Sequence, residues 1–121
     1  MQKLYIYIVE DNPLMAYTLK RMILKIGHNI CGSADCYDTA VKDLKAMHVD
    51  LVITDIMING KENGIDLAHY INHNLHIPFI FQSSVTCVDM IAMANKTHPN
   101  AFLPKPVSKT EMIKALAGIA A

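Results

Sequence analysis

Five short apolar runs, each divided from the next by a stretch with helical periodicity, restrict the fold of this chain more than any other feature. The runs are Leu4–Val9, Ile30–Ser33, Leu51–Thr54, Pro78–Gln82 and Ala101–Leu103. Leu51–Thr54 is continuous and apolar rather than alternating, as a central strand covered on both faces must be. Between the runs, apolar residues recur three and four positions apart. Strand and helix therefore alternate, which demands a parallel sheet with right-handed crossovers and helices on both faces.

Local signals mark the helices. Asn12 is a good N-cap and Pro13 suits the first helical position; Leu14, Met15, Leu19, Met22, Ile23 and Ile26 form the apolar face, and Gly27 stops the helix. Asp35 is expected to cap a second helix with Ala40, Val41, Leu44 and Met47 inward. Residues 59–64, Asn-Gly-Lys-Glu-Asn-Gly, form a turn before a third helix carrying Ile65, Leu67, Ala68 and Ile71. Thr86 with Asp89 resembles a capping box for the fourth helix, and His98-Pro99-Asn100 breaks the chain after it. Ser108 with Glu111 is a capping box for the last helix, with Met112, Ile113, Leu116 and Ile119 inward.

Composition narrows the class. A chain of 121 residues fits one domain, residues 1–121, and can bury a core without disulfide or metal staples. With 52% hydrophobic and 18% charged residues it is globular rather than disordered. Zero net charge and scattered basic residues exclude an electrostatic nucleic-acid footprint or a membrane-surface stripe. Cys31, Cys36 and Cys87 are odd in number and lack a CxxC pair, so they read as small buried hydrophobes, not a disulfide framework or zinc site. The first apolar run turns acidic too soon for a signal peptide, and no run has membrane-spanning length, so the expectation is a soluble cytoplasmic protein. His69 and His73 stand at i and i+4 without a third ligand, and read with His76 as a solvated corner.

In an open doubly wound sheet, ligands bind beyond the carboxyl ends of the strands. This chain places Glu10 and Asp11 after the first strand, Asp55 after the third, Ser83 at the end of the fourth and Lys105 after the fifth. Register favours Ser83 over Ser84 as the hydroxyl of that rim. Three carboxylates held close repel one another, and a hard cation such as Mg2+ relieves this with oxygen ligands and retained waters. A carboxylate can also act as a nucleophile toward phosphorus, and phosphoryl transfer asks chiefly for positioning and positive charge, which Lys105 supplies.

These residues, with the segments IVEDN, LVITDIM, IPFIFQSS and NAFLPKP in order, resemble the receiver domain of two-component response regulators over essentially the whole chain. The resemblance implies a flavodoxin-like doubly wound α/β domain with five strands in the order 2-1-3-4-5 and five helices. It implies Asp55 as phosphoacceptor, Asp11 and Asp55 as direct Mg2+ ligands, Glu10 as an acidic partner acting through water, and the Met57 carbonyl as a third protein ligand. Lys105 would contact the acceptor carboxylate and then the phosphoryl group, with the Lys105–Pro106 bond cis. Ser83 would be the switch hydroxyl and Phe102 the switch aromatic. A sensor histidine kinase or phosphotransfer protein would be the donor, and the domain would catalyse only its own phosphorylation and dephosphorylation. Two segments depart from the usual pattern: residues 56–64 form a longer loop of a glycine-containing subtype, and residues 96–100 replace the usual Ala-Gly pair.

The fourth helix, with Cys87, Val88, Met90, Ile91, Met93 and neighbouring alanines, leaves little polar surface, which points to a contact face formed with the fifth strand and fifth helix for a partner or a second copy. Two other classes compete. A haloacid-dehalogenase-like phosphatase needs a second acid where Met57 stands, and a phosphate-independent interaction module would not need the acidic rim.

Overall fold

The computed structural model describes residues 2–120. Its elements are β1 (Tyr5–Val9), α1 (Pro13–Ile26), β2 (Asn29–Ala34), α2 (Tyr37–Ala46), β3 (Leu51–Thr54), α3 (Gly64–Asn74), β4 (Phe79–Ser83), α4 (Val88–Asn95), β5 (Ala101–Pro104) and α5 (Lys109–Ala120). All strand pairs are parallel and the order is β2-β1-β3-β4-β5, as expected. The single domain expected over residues 1–121 has its two terminal residues outside the described ones.

Alternation along the strands sorts side chains into two cores. Ile6, Ile8, Leu51, Ile53 and Ile80 face one way and pack with Leu19 and Ile23 of α1 and Met112 and Leu116 of α5. Tyr7, Val9, Val52, Phe79 and Phe81 face the other and pack with Ala40 and Leu44 of α2 and Leu67, Ala68 and Ile71 of α3. Every residue of β3 is buried, which is why that run carries no polar alternation.

The helix signals hold at α1 and α5. The Asn12 side chain accepts from the Leu14 and Met15 amides, Gly27 takes a left-handed φ of 115°, and Ser108 and Glu111 bond reciprocally. An unforeseen capping box joins Asn63 and Asp66 at α3. Two expected caps are corrected. Cys36, not Asp35, precedes α2, and it makes no side-chain cap bond; the Asp35 carbonyl instead accepts from the Asn59 amide at 3.2 Å, tying the β2–α2 loop to the loop after β3. Helix α4 begins at Val88 behind Cys87, so Thr86 lies one residue before the cap and Asp89 is out of register for a box.

The apolar faces also need correction at their ends. Leu14 is 72% exposed and Met15 is exposed too, because the first turn of α1 stands beyond the strand ends; Met47 and Ile113 are likewise outward. Cys31 and Cys36 are half-buried and Cys87 is exposed, and all three are free thiols. His69 and His73 are on the exposed face of α3, the His73 Nδ1 lying 2.7 Å from the His69 carbonyl. Among the described residues no helix is long and apolar enough to cross a membrane.

At the end of the sheet where the strands begin, His28 is buried and its Nδ1 accepts the Leu4 amide at 3.0 Å. That bond requires the neutral ring protonated on Nε2, which has no partner among the described residues. Burial pushes the imidazole below its ordinary range. The unfolded chain then binds a proton the folded chain refuses, so stability from this group is full above about pH 6.5 and falls as pH drops below it. Urea midpoints should decline through that window. His28→Asn, which keeps an acceptor for Leu4 but cannot titrate, should flatten the decline; an unchanged slope would count against this account.

Candidate functional site

Three strand ends converge where the order reverses between β1 and β3. Each site residue directly follows its strand and is held by one more rung of the sheet ladder. The Glu10 amide donates to Ala34, the Asp55 amide to Val9 and the Lys105 amide to Ser83, at 3.0, 3.0 and 2.9 Å. Glu10 and Asp55 follow central strands and Lys105 follows the edge strand β5, and the extra rung presents all three at the rim without loop freedom.

The side chains meet there. Lys105 Nζ donates to Glu10 Oε1 at 2.5 Å and to Asp55 Oδ2 at 2.6 Å. Glu10 Oε2 accepts from the Asn12 amide at 3.1 Å, and Asp55 Oδ1 from the Ile56 amide at 2.7 Å. Glu10 and Asp55 are only 4% and 7% exposed, so all four of their oxygens are engaged rather than solvated. Burial opposes the charge on Lys105, but its bonds to Asp55 and Glu10 outweigh this and raise its pKa above the ordinary lysine value. The ammonium is thus a fixed charge. Asp11 is half-buried at the edge and forms no side-chain hydrogen bond or ion pair among the described residues. Three carboxylates against one ammonium leave the rim negative.

A cavity of about 550 Å³ opens over this cluster, lined by Asp11, Asp55, Met15, Met57, Ser84 and Lys105 among others. Ser83 is buried and its Oγ accepts the Val85 amide at 3.1 Å, so Ser84 lines the cavity and Ser83 lies behind it. Phe102 is half-buried, its ring 6.0 Å from that of Phe81. The Lys105–Pro106 bond is cis, as the resemblance implied.

The available donors are hard oxygens. Among the described residues, no three His, Cys, Asp or Glu side chains form a ready metal cage. A Mg2+-like ion is held by one or two carboxylates and completes its shell with water and ligand oxygens. Asp11 and Asp55 could supply them, with Glu10 outside.

Sequence reasoning missed Gly64. Its amide donates to the Ile56 carbonyl at 2.7 Å, and a Cβ there would collide with the Asp55 carbonyl. The first residue of α3 thus packs directly on the backbone that carries Asp55. Thr54 Oγ1 donates to the same carbonyl at 2.8 Å. No motif signal singles out Gly64, because its role is close approach, visible only once α3 is docked. Gly64→Ala should cost about 1–3 kcal/mol by forcing that backbone apart, and should move the Asp55 and Ile56 amide resonances. A neutral urea midpoint with unmoved resonances would contradict the contact.

Comparison with known proteins agrees with this geometry. The family model described as "Response regulator receiver domain" matches residues 6–117. The chain is 29% identical over 111 residues to the transcriptional regulatory protein PdtaR of Mycobacterium tuberculosis, covering 92% of this chain but 54% of that protein. It is 29% identical over 112 residues to the chemotaxis protein CheY of Thermotoga maritima, covering 92% of both. The solved receiver domain of a modulated diguanylate cyclase from Desulfovibrio desulfuricans superposes with a TM-score of 0.92 at 26% identity, covering 98% of this chain and 94% of that one. With the ordered strand-end residues, the buried cluster they form and the matched family model in agreement, the chain belongs to the response regulator receiver domain family.

Proposed function

We propose that this domain takes a phosphoryl group onto Asp55 from a phosphohistidine on a sensor histidine kinase or phosphotransfer protein, with Mg2+ bound, and that the aspartyl phosphate controls an output or partner. The observation that carries this reading is the Lys105 ammonium, held between Asp55 and Glu10 beneath an open cavity. A carboxylate oxygen of Asp55 attacks phosphorus, the phosphorus–nitrogen bond of the donor breaks, and its electron pair stays with the departing imidazole. Such transfer needs positioning and charge more than acid–base work. Asp55 is positioned by the Ile56 amide, and Lys105 places positive charge where the incoming oxygens arrive. Asp11 and Asp55 would hold Mg2+ directly, with Glu10 through water and the Met57 carbonyl as a further ligand. The ion would supply charge compensation for the phosphoryl oxygens.

The Ser83 hydroxyl accepts from Val85 and keeps its own proton to donate to a phosphoryl oxygen. In this reading that donation draws the β4–α4 loop toward Asp55 and lets Phe102 turn inward, shifting an existing equilibrium between two conformations. The readout surface is the face of α4, β5 and α5, where Val88 and Met93 are exposed. The chain spans about half the length of PdtaR and most of that of CheY.

Incubation with Mg2+ and acetyl phosphate, read by intact mass, tests the assignment. A Mg2+-dependent gain of one phosphoryl group, absent in Asp55→Asn, is expected. No gain in the unmutated chain would move the protein to a phosphate-independent interaction module. Sedimentation of both forms checks self-association through the readout face, and unchanged mass would remove it. The lifetime of the phosphoryl group is a separate expectation. Met57 and Val85, each two residues past Asp55 and Ser83, are apolar and cannot orient attacking water. Decay should therefore be slow, and loss within seconds would contradict that role for them.

A further inference from the structure

His69 and His73 are four residues apart in the sequence, and α3 turns that spacing into neighbouring positions on one exposed stripe. Their rings lie 6.5 Å apart centre to centre, with 46° between the planes. His73 Nδ1 is 2.7 Å from the His69 carbonyl oxygen, which can only accept, so Nδ1 carries the proton. In the neutral ring the lone pair then sits on Nε2. This is the arrangement of a metal-bound histidine, whose second nitrogen donates to a carbonyl or carboxylate that fixes the tautomer and the ring direction. The His69 side chain forms no hydrogen bond or ion pair among the described residues, and on the exposed face it is free to turn. The pair stands apart from the histidines already engaged: His28 is buried on the Leu4 amide, and His48 is held by Asp50 at 2.8 Å.

Geometry and charge both suit a cation here. Two imidazoles on one tetrahedral ion, each nitrogen about 2.0–2.1 Å from it, have ring centres about 5 Å apart. The observed spacing closes to that by rotation of His69, with His73 left on its carbonyl. Helix α3 carries no Lys or Arg, and His73 stands in its last turn, where the carbonyl end of a helix favours positive charge. Asp66, three residues before His69 on the same stripe, adds a negative charge; one of its oxygens, Oδ2, accepts the Asn63 amide at 2.8 Å. Among the described residues no third His, Cys, Asp or Glu completes a cage, so the other positions around an ion go to water. A pair of neutral nitrogens suits Zn2+, Cu2+ or Ni2+ and not Mg2+, which takes oxygen ligands. The stripe therefore selects a different class of ion from the carboxylates at the strand ends.

We propose that His69 and His73 form a two-point site for a borderline divalent cation of the Zn2+ class, which binds Nε2 of His73 and an imidazole nitrogen of His69 and clips one turn of α3. The site does not depend on the phosphoryl chemistry of Asp55, and its test leaves that chemistry intact. The probe is Zn2+, titrated into the 15N-labelled domain in excess Mg2+, which competes for carboxylate oxygens. Imidazole nitrogen resonances and thermal unfolding are followed together. Both rings should shift in concert and saturate at a single Zn2+ per chain, and the unfolding midpoint should rise with Zn2+ concentration. His69→Gln and His73→Gln should each weaken binding at least about tenfold, while labelling by acetyl phosphate without Zn2+ continues at the unmutated rate in both. A shift of one ring alone, or undiminished Zn2+ affinity in the double variant, would overturn the proposal. So would shifts centred on His48, the three thiols or the Asp11 and Asp55 amides while His69 and His73 stay unmoved.

Discussion

One ammonium group organises the working end of this molecule. Lys105 reaches from beyond β5 to carboxylates beyond β1 and β3, and among the described residues no other side chain ties these three strand ends together. A buried ion pair of this kind is a weak source of stability, because desolvation offsets much of the attraction. Under the proposed function the arrangement would serve as pre-organisation, the cation standing at Asp55 before a phosphoryl group arrives. Its geometry depends on the parallel sheet, whose ladder bonds extend one residue past each strand to fix Glu10, Asp55 and Lys105.

The rest of the fold supports that rim. Two apolar cores clamp the sheet, so the strand ends cannot shift independently. Helix α3 presses its first residue, Gly64, onto the Asp55 backbone, and the bond from Asn59 to Asp35 joins the loop after Asp55 to the β2–α2 loop. These contacts work by close approach and by saturating backbone groups. The opposite end of the sheet has a different character, with His28 buried as a neutral acceptor.

Much of the fold was legible because it rests on local and periodic signals. Leu51–Thr54 reads as a buried strand from its composition, and Asn12, Gly27 and Ser108 mark helix ends through chemistry confined to a few residues. The acidic rim was legible because strand ends in this topology point the same way. What escaped depends on distance along the chain. Lys105 bonds Glu10 across 95 residues, a pairing no window reveals. Asp35 looked like a cap because its side chain suits one, but its carbonyl is used by a loop far along the chain. Leu14 and Met15 fit the helical stripe, yet the stripe outruns the sheet beneath it.

The claim that Lys105 is committed to Asp55 at rest can be measured directly. Urea unfolding of the unmutated chain, Lys105→Met, Asp55→Asn and the double variant closes a thermodynamic cycle, without ligand or metal. A shared hydrogen-bonded pair should give a coupling of about 1–3 kcal/mol. Additive effects, with coupling below about 0.3 kcal/mol, would mean that the two groups do not interact in the resting domain and would contradict the account.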